Sequence, residues 1–330
     1  MTPNSHKRWP SFKRQVEMRN AFIDELVAHA EVQSSIALVV GDLGYSVIEP
    51  FADRFPERFI NAGVAEQNMM GLAAGMASEG YHVFVYSIGN FPTFRCAEQV
   101  RNDVDYHQLP VTIVAVGGGL AYGPLGYSHH TVQDYALMRS LPHMLIAAPG
   151  DPMEVRACMR YLIRHPQPSY LRLAKAGEPC YHVEVPEITP GQWTAVGKRP
   201  AAATGEDILL TTGAGLGIAM QWQQAGHYAS HRITTLPLWS QAAKARQPQQ
   251  VGAARQVVTV EDHLIDGGFG SWLLEAVINE GGLSERVRIR GLKPEVCGMV
   301  GSQATLNAVG GLEPAQPGRP IHPQRPCFST

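Results

Sequence analysis

The 330-residue sequence contains only five cysteines, and none of them form a C-x-x-C pair. An odd, scattered set argues against a disulfide framework and a thiolate zinc site, and it predicts a reducing, cytoplasmic location. The sequence also lacks any apolar run near the roughly 18 residues that a membrane span needs. Residues 1–9 are polar and have no apolar signal-peptide core. Neither membrane insertion nor secretion is therefore predicted.

Charge of either sign is sparse in this chain. Charged residues make up 17% of it, and the formal net charge is −2. No broad basic surface is expected, so neither nucleic acid nor an anionic membrane is predicted as a partner. With 45% hydrophobic residues, a chain of this length is sufficient for two domains that each have their own core.

Short apolar runs alternate with helical patterns along the first half of the chain. Such an alternation predicts a parallel sheet that is covered by helices on both faces. The carboxyl ends of the strands should carry the functional loops, and unusual residues cluster there, within 61–66, 87–94 and 117–130. The predicted strands are 36–40, 58–60, 81–86, 111–116, 144–148 and 169–173, and the predicted helices are 12–31, 66–78, 96–104 and 152–164.

A second unit of the same class follows a change in composition. Residues 186–204 are rich in proline, glycine and small polar residues, which predicts a linker. Strands are predicted beyond it at 207–211, 232–236, 256–260 and 287–290, with a helix at 270–279. Residues 1–14 and the proline-rich 313–330 are predicted to be tails.

A glycine-rich segment, G-A-G-L-G at 213–217, follows the first strand of this second unit. It is similar to a dinucleotide fingerprint, but Ile218 stands where that fingerprint needs its third glycine. We therefore predict a tight strand-to-helix turn.

A carboxylate, Glu66, stands at the start of a helix of small and apolar residues, 66–78. Such a helix should be buried, and a buried lone carboxylate is costly unless it has a partner. One interpretation is that Glu66 bonds the free amides of its own helix N-terminus, which favours negative charge. The other is a catalytic carboxylate, and spacing alone does not decide between them.

Other candidate residues also have two interpretations. Phe91 and Phe94 are core aromatics by pattern alone. His129 and His130 follow a glycine-rich loop, where a histidine relays protons near pH 7. The alternatives are a solvated pair or two metal ligands, although adjacent histidines rarely converge on one ion. Lys175 is equally consistent with a surface lysine.

The motifs taken together resemble the transketolase family. Asn-x-Gly-x-x-Glu-Gln followed by a small-residue helix, at 61–75, is similar to the aminopyrimidine site of transketolases and of deoxyxylulose-phosphate synthases. The resemblance continues in order through 84–102, 126–144 and 257–271. It implies two α/β domains, a parallel-sheet, thiamine-diphosphate pyrimidine-binding domain at 15–185 and a transketolase C-terminal-type domain at 205–312.

The resemblance gives the cofactor-side residues their roles. Glu66 would hydrogen-bond a ring nitrogen of thiamine diphosphate and exchange a proton with it, while the cofactor acts as the electron sink. Phe91 matches the position that stacks on the pyrimidine, and Phe94 lies beside it. Ile88 stands where the family often has another aromatic residue.

The substrate-side residues depart from the family pattern. His129 matches the family histidine that contacts substrate hydroxyls, and Lys175 falls where an arginine commonly holds the substrate phosphate. Gly117 replaces a histidine or arginine, Leu125 replaces an acidic residue that reads a sugar hydroxyl, and His130 replaces a glutamine. These changes question the usual sugar-phosphate substrate and leave the cofactor side intact.

The family's Gly-Asp-Gly and downstream asparagine, which hold magnesium and the diphosphate, have no counterpart in this sequence. The resemblance therefore implies a separate diphosphate-binding subunit that carries Mg²⁺, in an α2β2 heterotetramer. No metal ligands are predicted here.

The expected reaction moves a two-carbon ketol unit from a ketose or ketose phosphate to an aldehyde or other acceptor. The alternatives are the beta subunit of a 2-oxo acid dehydrogenase, a deoxyxylulose-phosphate-synthase-like enzyme and a non-catalytic scaffold subunit.

Overall fold

The computed structural model describes residues 17–197 and 207–313. The predicted N-terminal tail, the proline-rich tail beyond residue 313 and the linker residues 198–204 lie outside the described residues. The described chain is an α/β structure with two sheets of mostly parallel strands, which confirms the predicted fold class. None of its helices combines the length and the apolar character needed to cross a membrane.

The strands and helices alternate along most of the chain. The strands are β1 (Ile36–Val40), β2 (Phe59–Asn61), β3 (His82–Ile88), β4 (Val111–Val116), β5 (Leu145–Ala147), β6 (Ser169–Leu173), β7 (Thr194–Ala195), β8 (Asp207–Thr211), β9 (Arg232–Thr235), β10 (Leu238–Trp239), β11 (Gln256–Leu264) and β12 (Val287–Leu292). The helices are α1 (Met18–Ala30), α2 (Glu49–Arg54), α3 (Glu66–Ser78), α4 (Ala97–Gln99), α5 (Asp134–Met138), α6 (Pro152–Arg164), α7 (Gly215–Gln224), α8 (Gln247–Ala253), α9 (Phe269–Val277) and α10 (Gln303–Val309).

The first sheet has seven strands in the order β10-β5-β6-β4-β3-β1-β2. All its neighbours are parallel except β10, which pairs antiparallel with β5. Every residue of β1, β4 and β6 is buried, as expected when helices cover both faces of a parallel sheet. The second sheet has five strands in the order β12-β11-β8-β9-β7, and only β7 is antiparallel.

Several elements differ from the sequence prediction. β7 lies within the predicted linker, and β10 was not predicted; both have only two residues, too few to show a periodic pattern. The predicted helix 96–104 is the short α4 followed by a π-helical turn, Val100–Asp105. The prediction that α3 is buried holds for one face only, because α3 exposes Gly71, Leu72 and Gly75 on the other face.

A buried arginine connects the two sheets. Arg172 in β6 places Nε at 2.7 Å from Asp134 Oδ2 and Nη1 at 2.6 Å from Asp262 Oδ1, which lies in β11. Nη2 also donates to the carbonyl of Thr131 at 2.8 Å. Burial acts to lower the pKa of Arg172, but attraction by Asp134 and Asp262 outweighs it and raises the pKa well above the usual value.

The segment 257–271, which resembles the family, contains a helix cap. Glu261, fully buried in β11, accepts hydrogen bonds from the backbone N–H of Phe269 at 2.6 Å and of Gly270 at 2.7 Å. These are the first two residues of α9; burial raises the pKa of Glu261 to about 8, and the two amides offset this only in part. Gly268 is required because a Cβ there would lie 2.3 Å from Glu261 Oε2.

Candidate cofactor and substrate site

The candidate site begins at a turn that joins the loops after β1 and β2. Asn61 Oδ1 accepts hydrogen bonds from the backbone N–H of Asp42 at 3.1 Å and of Gly63 at 3.0 Å. Asn61 Nδ2 donates to Asp42 Oδ1 at 3.1 Å. Gly63 has φ of +71°, which favours glycine. The Asn-x-Gly part of the motif therefore builds the turn that leads into α3 and positions Glu66.

Glu66 is the first residue of α3, and only 6% of it is exposed. Its carboxylate accepts a hydrogen bond from Arg95, whose Nη1 lies 2.8 Å from Glu66 Oε1. The negative charge of the buried Glu66 carboxylate is therefore compensated by Arg95, a cation on another element, and not by the amides of α3. The catalytic role of Glu66 stays a prediction.

A flat cation occupies the space between the Glu66 carboxylate and the Phe91 ring. The guanidinium carbon of Arg95 lies 3.8 Å from the centroid of the half-buried Phe91 ring. The same guanidinium donates to Glu66 through one edge. A planar group with nitrogen on its edge thus fits here, with an aromatic face beside it and a carboxylate at its rim. An aminopyrimidine has the same features.

The contacts continue from Phe91 towards the substrate-side residues. The rings of Phe91 and His129 meet edge to face, with centroids 5.3 Å apart. Tyr122 approaches His129 with centroids 6.3 Å apart, and Lys175 Nζ lies 4.8 Å from the Tyr122 centroid. The structure therefore places predicted and newly found residues, from Glu66 to Lys175, along one line of contacts.

The loop that carries His129 is fixed by short polar contacts. Asn90 Nδ2, in the loop after β3, donates to the carbonyl of Ser128 at 3.1 Å. Ser128 Oγ lies 3.0 Å from His129 Nδ1, and either atom can donate, depending on the tautomer of the imidazole. The loops after β3 and β4 thus hold the imidazole beside Phe91.

The glycine at 117 is explained by Tyr122. Gly117 has φ of +84°, and a Cβ there would lie 2.1 Å from the Tyr122 ring. The ring therefore takes the space into which a side chain at 117 would extend. Burial raises the pKa of the Tyr122 phenol, so its hydroxyl stays protonated at neutral pH. Tyr122 was not predicted from the sequence, although a glycine at a family histidine or arginine position was a signal that another side chain fills that space.

The remaining predicted residues differ in exposure. Leu125 is 57% exposed and Phe94 47% exposed, while Ile88 is half-buried at the end of β3. His130 is only 1% exposed, and burial lowers the pKa of its imidazole, which the Gly123 backbone offsets only in part. The structure thus brings Leu125 to the surface and holds His130 inside, and their substrate contacts stay predictions.

The chain is similar to known proteins over most of its length. The family model of the transketolase pyrimidine-binding domain matches residues 14–177. A putative transketolase C-terminal section from Methanocaldococcus jannaschii is 33% identical over 300 residues, which cover 90% of this chain and 92% of that protein. The chain belongs to the transketolase family. The resemblance inferred from the motifs is thereby confirmed.

Other relatives show which form of the family the chain matches in length. One of the subunits of apulose-4-phosphate transketolase from Phocaeicola vulgatus is 32% identical, covering 85% of this chain and 88% of that protein. A solved split-gene transketolase, an inactive beta4 tetramer, has a TM-score of 0.72 at 28% identity and covers 90% of this chain and 93% of that chain. The 1-deoxy-D-xylulose-5-phosphate synthase 1 of Geobacter sulfurreducens is 31% identical, but only 41% of it is covered. The chain therefore resembles separate subunits more closely in length than the larger synthases.

Proposed function

We propose that this chain is the pyrimidine-binding beta subunit of a two-subunit, thiamine-diphosphate-dependent transketolase-like enzyme. The reaction transfers a two-carbon ketol unit from a ketose donor to an aldehyde or other acceptor. The observation that carries the proposal is the space between the Glu66 carboxylate and the Phe91 ring, which we call the bracket. It accommodates a planar group with nitrogen on its edge. Relatives of similar length that are named as transketolase subunits support the same assignment.

The bracket suggests a division of roles on the cofactor side. When bound, thiamine diphosphate would supply the electron sink. Glu66 would hold a proton at the pyrimidine ring nitrogen, because the neutral carboxylic acid donates and the carboxylate accepts. Phe91 would stack on the ring, which is worth about 0.5–1.5 kcal/mol beyond burial. Phe94 and Ile88 would border the same ring.

The substrate side is proposed to accept a different hydroxyl pattern from that of ordinary transketolases. His129 would contact substrate hydroxyls, and the exposed Lys175 would attract an anionic end without the bidentate fork of arginine. The exposed Leu125 offers no hydrogen bond where the family reads a sugar hydroxyl. We propose His130 as the fourth substrate-binding residue, although it is buried under the loop.

A separate diphosphate-binding subunit is proposed to complete the site and to carry Mg²⁺. Subunit names among the relatives support a partner. Among the described residues, no cluster of three or more histidine, cysteine or acidic side chains is arranged to hold a metal ion. The exposed Gly71 and Gly75 lie on the helix that begins with Glu66, which offers the partner a smooth surface next to the site. An α2β2 assembly in the cytoplasm stays a prediction, as do the domain boundaries 15–185 and 205–312.

The proposal is tested by Glu66→Gln in the assembled complex. Glutamine keeps the shape and hydrogen bonding but cannot exchange a proton, so we expect ketol transfer to fall by about 10²–10⁴-fold. Glu98→Gln, at an exposed position near the same loop, serves as the matched control and should leave the rate unchanged. If Glu66→Gln leaves the rate of ketol transfer unchanged, the result would favour a non-catalytic scaffold subunit. Acceptance of a 2-oxo acid in place of a ketose would favour the dehydrogenase subunit.

A further inference from the structure

We propose that Arg95 is a placeholder in the cofactor site: in the cofactor-free chain it occupies the place of the aminopyrimidine, and it must leave before the cofactor binds. This inference rests on the proposed function of Glu66 and Phe91. It adds a positioning residue that controls access to both of them.

The contacts of Arg95 exclude a second planar group from the bracket. Its guanidinium covers one face of Phe91 at 3.8 Å, about the distance at which stacked groups touch. His129 contacts the same ring edge to face at 5.3 Å between centroids. With Arg95 in place, a pyrimidine cannot stack on this face of Phe91 while it also hydrogen-bonds Glu66 Oε1.

The side chain of Arg95 can move without the loop that carries it. Neighbouring residues anchor the backbone, since Thr93 Oγ1 donates to the carbonyl of Gly89 at 2.8 Å and Cys96 is fully buried. The Arg95 side chain itself is 47% exposed, so it can rotate into solvent. Because the Arg95 end of the ion pair is exposed and exposed cation–π contacts are individually weak, the closed arrangement should be favoured only modestly.

The test measures thiamine diphosphate binding to the assembled complex in the presence of Mg²⁺. If a closed state competes with the cofactor, its apparent Kd is increased by the inverse of the open fraction. Arg95→Met should therefore lower the Kd in calorimetry by about 3- to 10-fold, as expected for the loss of one ion pair and one cation–π contact made by a half-exposed side chain. In stopped-flow fluorescence the association rate should rise by the same factor while the dissociation rate stays unchanged.

Matched variants separate this role from a structural one. Arg101→Met removes an exposed arginine that donates a hydrogen bond to the adjacent Asn102, and it should not change the Kd. Arg95→Lys keeps the charge but lacks the flat fork, so its Kd should fall between those of Arg95→Met and the wild type. If Arg95→Met does not assemble, Arg95→Gln provides the same test.

The possible failures are distinguishable. A weaker or unchanged affinity in Arg95→Met, or a gain confined to the dissociation rate, would overturn the placeholder role, because Arg95 would then hold the cofactor or not affect it. A wild-type complex that binds no thiamine diphosphate would instead overturn the proposed function itself.

Discussion

Replacing Arg172 by methionine should destabilise the chain more than any exposed substitution, because it leaves two buried carboxylates without their cation. Asp134 and Asp262 are 0% and 1% exposed, and Arg172 contacts both at 2.7 Å or less. Breaking a buried pair from one side typically costs about 3–5 kcal/mol. That is a large share of the roughly 5–15 kcal/mol by which proteins of ordinary stability are folded.

The assay is urea unfolding followed by circular dichroism and by tryptophan fluorescence. Trp239 and Trp272, two of the five tryptophans, are fully buried in one aromatic cluster, so part of the fluorescence reports on the region where the two sheets meet. Because the chain has two sheets, both signals should be fitted without assuming a single transition. Arg172→Met combined with Asp262→Asn should recover part of the loss, since one unpaired charge is then removed.

The matched control is Arg255→Met, which breaks the pair with Asp207. The Arg255 side chain is 70% exposed, so water can replace it at the Asp207 carboxylate and this substitution should cost less than Arg172→Met. If Arg172→Met costs no more than Arg255→Met, the buried network does not stabilise the junction between the sheets, and the reasoning from burial is refuted.

Three further predictions concern cofactor binding, pH and substrate choice. The isolated chain should bind thiamine diphosphate weakly and show no activity; tight Mg²⁺-dependent binding in calorimetry would contradict the need for a partner. Burial raises the pKa of Glu154 from 4.5 to about 7, and His182 offsets this only in part. The folded chain then keeps a proton that the unfolded chain loses, so the free energy of unfolding should fall as pH rises from 4.5 to about 7. Glu154→Gln should flatten that fall in urea titrations, and an unchanged slope would exclude Glu154 as its source. Leu125→Asp should raise kcat/KM for xylulose 5-phosphate with ribose 5-phosphate by about 10-fold or more, while Leu125→Ala should not; efficient turnover of that pair by the wild type would show that Leu125 does not redirect the substrate.

The sequence was sufficient to predict the parallel strands and the elements that carry the candidate site. Runs such as 36–40 and 111–116 are almost wholly apolar, and a strand buried on both faces leaves that pattern. The position of Glu66 at the start of a helix followed from the small residues after it. In each case the information was local, so one segment was enough to read it.

The parts that escaped prediction depend on contacts between distant segments. Arg95 has no motif of its own, and its place against Phe91 and Glu66 depends on the rotamer of one exposed side chain. Tyr122 reaches its position because a loop turns back over Gly117. Neither arrangement produces a periodic signal in the sequence.

The strand β10 limits how this chain can be divided by protein engineering. It comes from the second half of the sequence but completes the edge of the first sheet, where Leu238 and Trp239 pair with Ala147 and Ile146 of β5. A truncated protein ending before residue 207 would leave the backbone N–H and C=O groups of β5 open to pairing with other molecules. Domain swaps between relatives should therefore exchange β5 and β10 together, even though about 90 residues separate them.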